Sequence, residues 1–105
     1  MIFLVKIGDD DCPVCQQLAE HDKQFSEARG LPLVTMTPGE CAQNPGALRS
    51  HVVKTFVDEN GLIDVPIYLI MDGGEVTASA LCENLPDLTA FLQKWEASVK
   101  SELFG

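Results

Sequence analysis

Ile2-Phe3-Leu4-Val5-Lys6-Ile7-Gly8, then Asp9-Asp10-Asp11, then Cys12-Pro13-Val14-Cys15 is the stretch on which the fold turns. Its opening six residues form a short β-branched and aromatic run closed by glycine, the pattern of a strand buried on both faces, with Lys6 as its one charge. Pro13 suits the first turn of a helix, where its missing N–H removes no bond, and Val14, Leu18, His21, Phe25 and Ala28 recur at the spacing of one helical face. Gly30 ends that helix. Leu31-Pro32-Leu33-Val34-Thr35-Met36 reads as a second strand, closed by Pro38-Gly39. A helix crossing between two strands makes them parallel neighbours.

Beyond this unit, Gly39 to Gln43 reads as a loop, Asn44 as a cap and Pro45 as the opening of a second helix. Leu48, Val52 and Phe56 supply the apolar stripe of that helix, and Asn60-Gly61 stops it. Val65 to Met71 and Glu75 to Ala80, joined by Asp72-Gly73-Gly74, form a strong hairpin pattern of two antiparallel strands. Asn84-Leu85-Pro86-Asp87 carries cap and first-turn chemistry for a closing helix whose Leu88, Phe91, Leu92, Trp95 and Val99 read as core. Met36 and Met71 read as core within strands. The order β-α-β-α-β-β-α predicts an α/β fold, a four-stranded mixed sheet flanked by three helices, in a single domain over residues 1–105.

Sixteen acidic against seven basic side chains give a net charge of −9, which repels phosphate backbones and anionic membrane surfaces. Nucleic acid and membranes are therefore not expected as partners. No run approaches the roughly 20 apolar residues of a membrane span, and Ile2 to Val5 is too short for the apolar region of a signal peptide. Four cysteines without a secretory signal point to catalysis or metal binding rather than structural disulfides. A soluble, cytoplasmic monomer is expected.

Thiol–disulfide exchange needs an attacking thiolate, a leaving sulfur and a second thiol close by, and two cysteines three apart at a helix start meet all three needs. Cys12 falls at the cap, where free backbone N–H groups and the helix dipole favour negative charge, and Cys15 lies one turn further in. Cys12 is thus the candidate attacking sulfur and Cys15 the candidate resolving sulfur. Asp9, Asp10 and Asp11 oppose a thiolate beside them, and Gln16 and Gln17 supply no compensating cation. A zinc half-site or a plain structural disulfide is the competing reading, but a second pair at zinc spacing is missing because Cys41 and Cys82 stand apart.

Four other residues admit more than one role. Lys6 either lies beneath the dithiol and favours the thiolate of Cys15, or snorkels to the sheet edge or pairs with a carboxylate. Cys41 falls in the loop and is expected to be exposed; Cys82, at the end of the last strand, is either a secondary redox thiol or a small buried apolar residue. His21 reads as a structural histidine, and His51 is assigned no role.

The strand leading to Cys12-Pro13-Val14-Cys15 at a helix start, with a later Val65-Pro66 opening a strand–turn–strand, resembles the thioredoxin/glutaredoxin superfamily over essentially the whole chain. That resemblance implies a thioredoxin-like fold and a thiol–disulfide oxidoreductase with Cys12 and Cys15 as its catalytic residues. It implies substrate binding by Pro13, Val65 and Pro66, with Pro66 cis and facing the dithiol and the Val65 backbone pairing with the substrate strand. It also implies protein disulfides as substrates, electrons from a thioredoxin reductase or from glutathione, and no bound cofactor. Asp11 stands where thioredoxins carry a tryptophan, and Lys6 where they carry a buried carboxylate. The Gly-Gly that precedes the last helix of glutaredoxins is missing there, since Gly73-Gly74 lies in the hairpin. The reading is a divergent thioredoxin-like reductase of protein disulfides; the alternatives are a glutathione-dependent, glutaredoxin-like reductase, a thioredoxin-fold binding module without turnover, and a metal-binding protein.

Overall fold

Alternation of side chains along the first strand decides which helices cover which face of the sheet. The computed structural model describes residues 1–44 and 46–104. Strand β1 (Ile2–Ile7) pairs in parallel with β2 (Leu33–Met36) and antiparallel with β3 (Ile67–Asp72), which pairs antiparallel with β4 (Glu75–Leu81). The sheet order is β2-β1-β3-β4. Leu4, Tyr68 and Ile70 project to one face and pack with Leu18 of helix α1 (Pro13–Arg29) and with Leu88, Phe91 and Leu92 of helix α4 (Leu85–Phe104). Val5, Ile7, Ile67, Leu69 and Met71 project to the other, against Cys41 of helix α2 (Pro38–Gln43) and Leu48 and Val52 of helix α3 (Ala47–Phe56). Both faces of β1 and β3 are buried, which is why neither strand alternates apolar with polar residues.

The parallel pairing of β1 with β2 and the antiparallel hairpin of β3 and β4 follow the sequence expectation. Gly73 and Gly74 make the two-residue turn with φ of 59° and 89°, conformations that side-chain-bearing residues rarely adopt. Gly30 closes α1 in the left-handed region at φ 64°. Asn84 Oδ1 accepts from the Asp87 N–H at 2.8 Å, as the cap reading of that segment requires. Phe91 and Met71 are buried, while Trp95 and Met36 pack partly buried against the two cores.

Among the described residues, four helices flank the sheet rather than three. The segment expected as a loop holds α2, nucleated by a capping box: Thr37 Oγ1 accepts from the Glu40 N–H, the Glu40 carboxylate accepts from the Thr37 N–H, both at 3.1 Å, and Pro38 occupies the first turn. Pro38-Gly39 therefore opens a helix instead of merely ending a strand. Asn44 stands at the end of α2 and Gly46 before α3, so Asn44 does not cap the later helix; Pro45 lies outside the described residues. Helix α3 ends at Phe56, earlier than Asn60-Gly61 suggests, because Val57 bridges to Ile63 and the Asp58 carboxylate ties the intervening turn through the N–H groups of Asn60 and Leu62. Leu31 is buried but lies before β2. Among the described residues no helix is long and apolar enough to cross a membrane.

Replacing Thr37 by Ala removes the acceptor for the Glu40 N–H and is expected to cost about 1 kcal/mol, read from the midpoint of urea unfolding. An unchanged midpoint would mean that α2 does not depend on its capping box.

Candidate active site

Where β1 leaves the sheet, Gly8 keeps the chain close to the start of α1. A side chain at Gly8 would come within 3.0 Å of Cys15 Sγ and 3.6 Å of Lys6 Cε, so the bare backbone is what admits the thiol there. The acidic loop then turns into the helix: the Cys12 N–H donates to the Asp9 carbonyl at 3.1 Å, and the Gln16 side chain donates to the Asp10 carbonyl. Cys12 is the N-cap of α1, with extended backbone, and its Sγ accepts from the Cys15 N–H at 3.2 Å. The sulfur thus faces the free donors and the positive end of the helix. Cys12 is half-buried, whereas Cys15 is only 5% exposed.

The segment before β3 brings its own backbone to this point. The Val65–Pro66 peptide is cis, Pro66 is buried, and the Cys12 thiol points at the Val65 carbonyl oxygen at 3.9 Å. Cys12, Cys15, Val65 and Pro66 are therefore brought together, while Pro13 lies exposed in the first turn of α1.

Beneath the pair lies a buried polar chain. Lys6 is 6% exposed and does not snorkel: its Nζ donates to the Cys15 carbonyl at 2.8 Å and to Asp22 Oδ2 at 2.5 Å. Asp22 Oδ1 accepts from the Tyr68 hydroxyl at 2.5 Å. Burial, followed by the hydrogen bond with Cys12, pushes the Cys15 thiol up to about 11; the Asp9 backbone and the Lys6 charge act in the opposite direction. Burial, reinforced by Asp22, pushes the Tyr68 phenol far above its usual range. A groove of about 420 Å³ opens beside Cys15 between α1, β2 and α2, with Lys6, Gly8, Asp9, Thr35 and Glu40 in its walls.

The remaining sequence candidates fall elsewhere. Cys41 is buried at 3%, not exposed, because its segment is helical and packs on Val5 and Ile7. Cys82 is fully buried in the other core, and burial pushes its thiol up to about 12. His21 is half-buried with its ring 6.5 Å from Phe25, and His51 shares a 2.7 Å hydrogen bond with Ser79. Among the described residues no group of three or more His, Cys, Asp or Glu side chains is placed to hold a metal ion. Gly8, Asp22 and Tyr68 escaped the sequence reading. Asp22 had a signal: it lies seven residues along from Cys15 and four from Leu18, on their face, where a buried lysine needs an anion.

Two measurements check this arrangement. Iodoacetamide at neutral pH is expected to modify Cys12 before Cys15, Cys41 or Cys82 in peptide mass mapping, since Cys12 alone of the four is more than marginally exposed. Gly8→Ala is expected to displace Cys15 Sγ and lower stability by about 1 kcal/mol, with Cys15 amide resonances shifted; unchanged resonances would refute the contact.

No protein-family model and no curated protein matches the sequence. Among solved structures, the chain is similar to a thioredoxin of Plasmodium falciparum, with a TM-score of 0.60 at 14% identity over 90% of this chain and 81% of that one. The oxidised thioredoxin of the same organism, solved in solution, gives a TM-score of 0.59 at 14% identity, over 90% and 80% of the two chains. At that identity the likeness speaks for the architecture alone: the chain has a thioredoxin-like fold.

Proposed function

We propose that the protein is a thiol–disulfide oxidoreductase that reduces protein disulfides. The observation that carries this reading is the half-buried Cys12 sulfur at the start of α1, hydrogen-bonded by the Cys15 N–H and facing the Val65 carbonyl beside Pro66. In this reading the Cys12 thiolate attacks one sulfur of a substrate disulfide, forming a mixed disulfide and releasing the other sulfur as a thiol. Cys15 then attacks Cys12, the Cys12–Cys15 disulfide forms, and the second substrate sulfur leaves. Val65 offers backbone hydrogen-bonding groups to an extended substrate segment, and Pro13 and Pro66 border the place where it lies.

Electrons return the protein to its dithiol form from a thioredoxin reductase or from glutathione, without a bound cofactor. The protein acts as a monomer in the cytoplasm, on protein disulfides rather than on nucleic acid or membranes. No basic cluster is placed in the sequence to grip the carboxylates of glutathione, which favours protein substrates.

Replacing Cys12 by Ser is expected to abolish reduction of insulin disulfides, while Cys15→Ser accumulates a mixed disulfide visible on non-reducing gels. Reduction that survives in the Cys12→Ser protein would sink the enzyme reading and favour a binding module. Turnover supported by glutathione with its reductase, and not by a thioredoxin reductase, would move the protein to the glutaredoxin-like alternative.

A further inference from the structure

Lys6 and Asp22 are buried charges in a core that does not need them. Leu4, two residues earlier on the same face of β1, shows what that face accepts: an aliphatic side chain packed against α1 and α4. A buried ion pair is often no more stabilising than apolar residues of the same volume, so packing does not account for this one. Its position does, because Nζ of Lys6 touches the carbonyl of Cys15, and Lys6 Cε and Cys15 Sγ flank the same bare position at Gly8.

Asp22 is badly placed to take a proton from Cys15. Both of its oxygens are engaged, Oδ2 by Lys6 and Oδ1 by the Tyr68 hydroxyl, and no hydrogen bond joins it to the thiol. Given the reading of the dithiol proposed above, we infer that Lys6 is a positioning residue for the resolving step. Its ammonium, held by Asp22 and Tyr68, favours the thiolate of Cys15, and Asp22 is the counter-ion that moderates this effect rather than a base.

The step balances without another reactant. Cys15 gives its proton to water in the groove at its side, and its thiolate attacks Cys12 Sγ. The Cys12–substrate S–S bond breaks as the Cys12–Cys15 bond forms, and the departing substrate thiolate takes a proton from solvent. The dithiol loses two electrons and the substrate disulfide gains them. The other described groups around Cys15 are anionic or neutral: Asp9 and Asp10 in the preceding loop, Cys12 at the cap and Asp22 within α1, Tyr68 on β3, itself beside Cys82, and Glu40 of α2 across the groove. Lys6 is the one cation among them.

The test is a site-resolved titration that needs no substrate, following the 13Cβ chemical shift of Cys15 in the Cys12→Ser protein. Adding Lys6→Met is expected to move the Cys15 titration up by roughly one pH unit, the size of effect an opposite charge at close range exerts. Adding Asp22→Asn leaves the ammonium with the Cys15 thiolate as its counter-ion and is expected to move the titration down. Shifts in the same direction, or no shift, overturn the inference; if Lys6→Met does not fold, the Asp22→Asn direction decides alone. In single-turnover resolution at neutral pH, Asp22→Asn in the Cys12-containing protein is expected to resolve a mixed disulfide several-fold faster, and slower resolution would make Asp22 a base and overturn the inference. Failure of the parent protein to reduce disulfides would instead remove the functional reading and leave the titration result standing.

Discussion

A buried lysine near the end of a central strand has to find an anion before the sheet can close over it, and the one that reaches Lys6 is carried by the helix that crosses the same face. The Lys6–Asp22 ion pair therefore ties β1 to α1 at a defined rotation of the helix. With Asp22 turned inward, Cys15, Leu18 and Ser26 turn inward with it, and those four are the buried residues of α1. His21 and Phe25 are left half-buried and Ala28 exposed, although hydrophobicity alone would bring them in. The same rotation sets Cys15 against Gly8 and leaves Cys12 at the helix start facing Val65. The dithiol geometry thus depends on a charge interaction anchored about two helical turns beyond Cys15 on α1.

That arrangement also alters the electrostatics usually associated with this architecture. By resemblance, the strand position of Lys6 belongs to a buried carboxylate; here the strand supplies the cation and the helix supplies the carboxylate, with Tyr68 of β3 as a third member. The surroundings of the thiols are otherwise negative, since Asp9, Asp10 and Asp11 precede Cys12 and Glu40 stands across the groove. A cation held under Cys15 offsets part of that field at short range, where the low dielectric of the interior makes it most effective.

Helix α2 shows how a short segment changes the meaning of residues around it. Six residues of capped helix place Cys41 against Val5 and Ile7, closing the second core and turning a supposed loop thiol into packing. The same helix walls the groove beside Cys15 through Glu40, whose carboxylate is also the capping group at Thr37. Local hydrogen bonding and the shape of the site are here the work of the same side chain.

Much of this was legible in the amino-acid order because it rests on local rules. The apolar run of β1, the Cys-Pro-Val-Cys helix start, the glycine turn of the hairpin and the Asn84 cap each act through near neighbours, and the pairings of β1 with β2 and of β3 with β4 follow from the crossover and the hairpin, whereas the β1–β3 pairing that joins them does not. The capping box at Thr37 was equally local; Pro38-Gly39, a common turn signal, masked it. What only the tertiary structure decided are the contacts between residues far apart in the chain: Lys6 with Asp22 and Tyr68, Gly8 with Cys15, and Cys12 with Val65. Periodicity ranks a position by hydrophobicity, so it put Ala28 on the apolar face of the helix and overlooked Asp22. The fold ranks the same positions by whether a buried charge is paired, and that cost outweighs the burial of a methyl group.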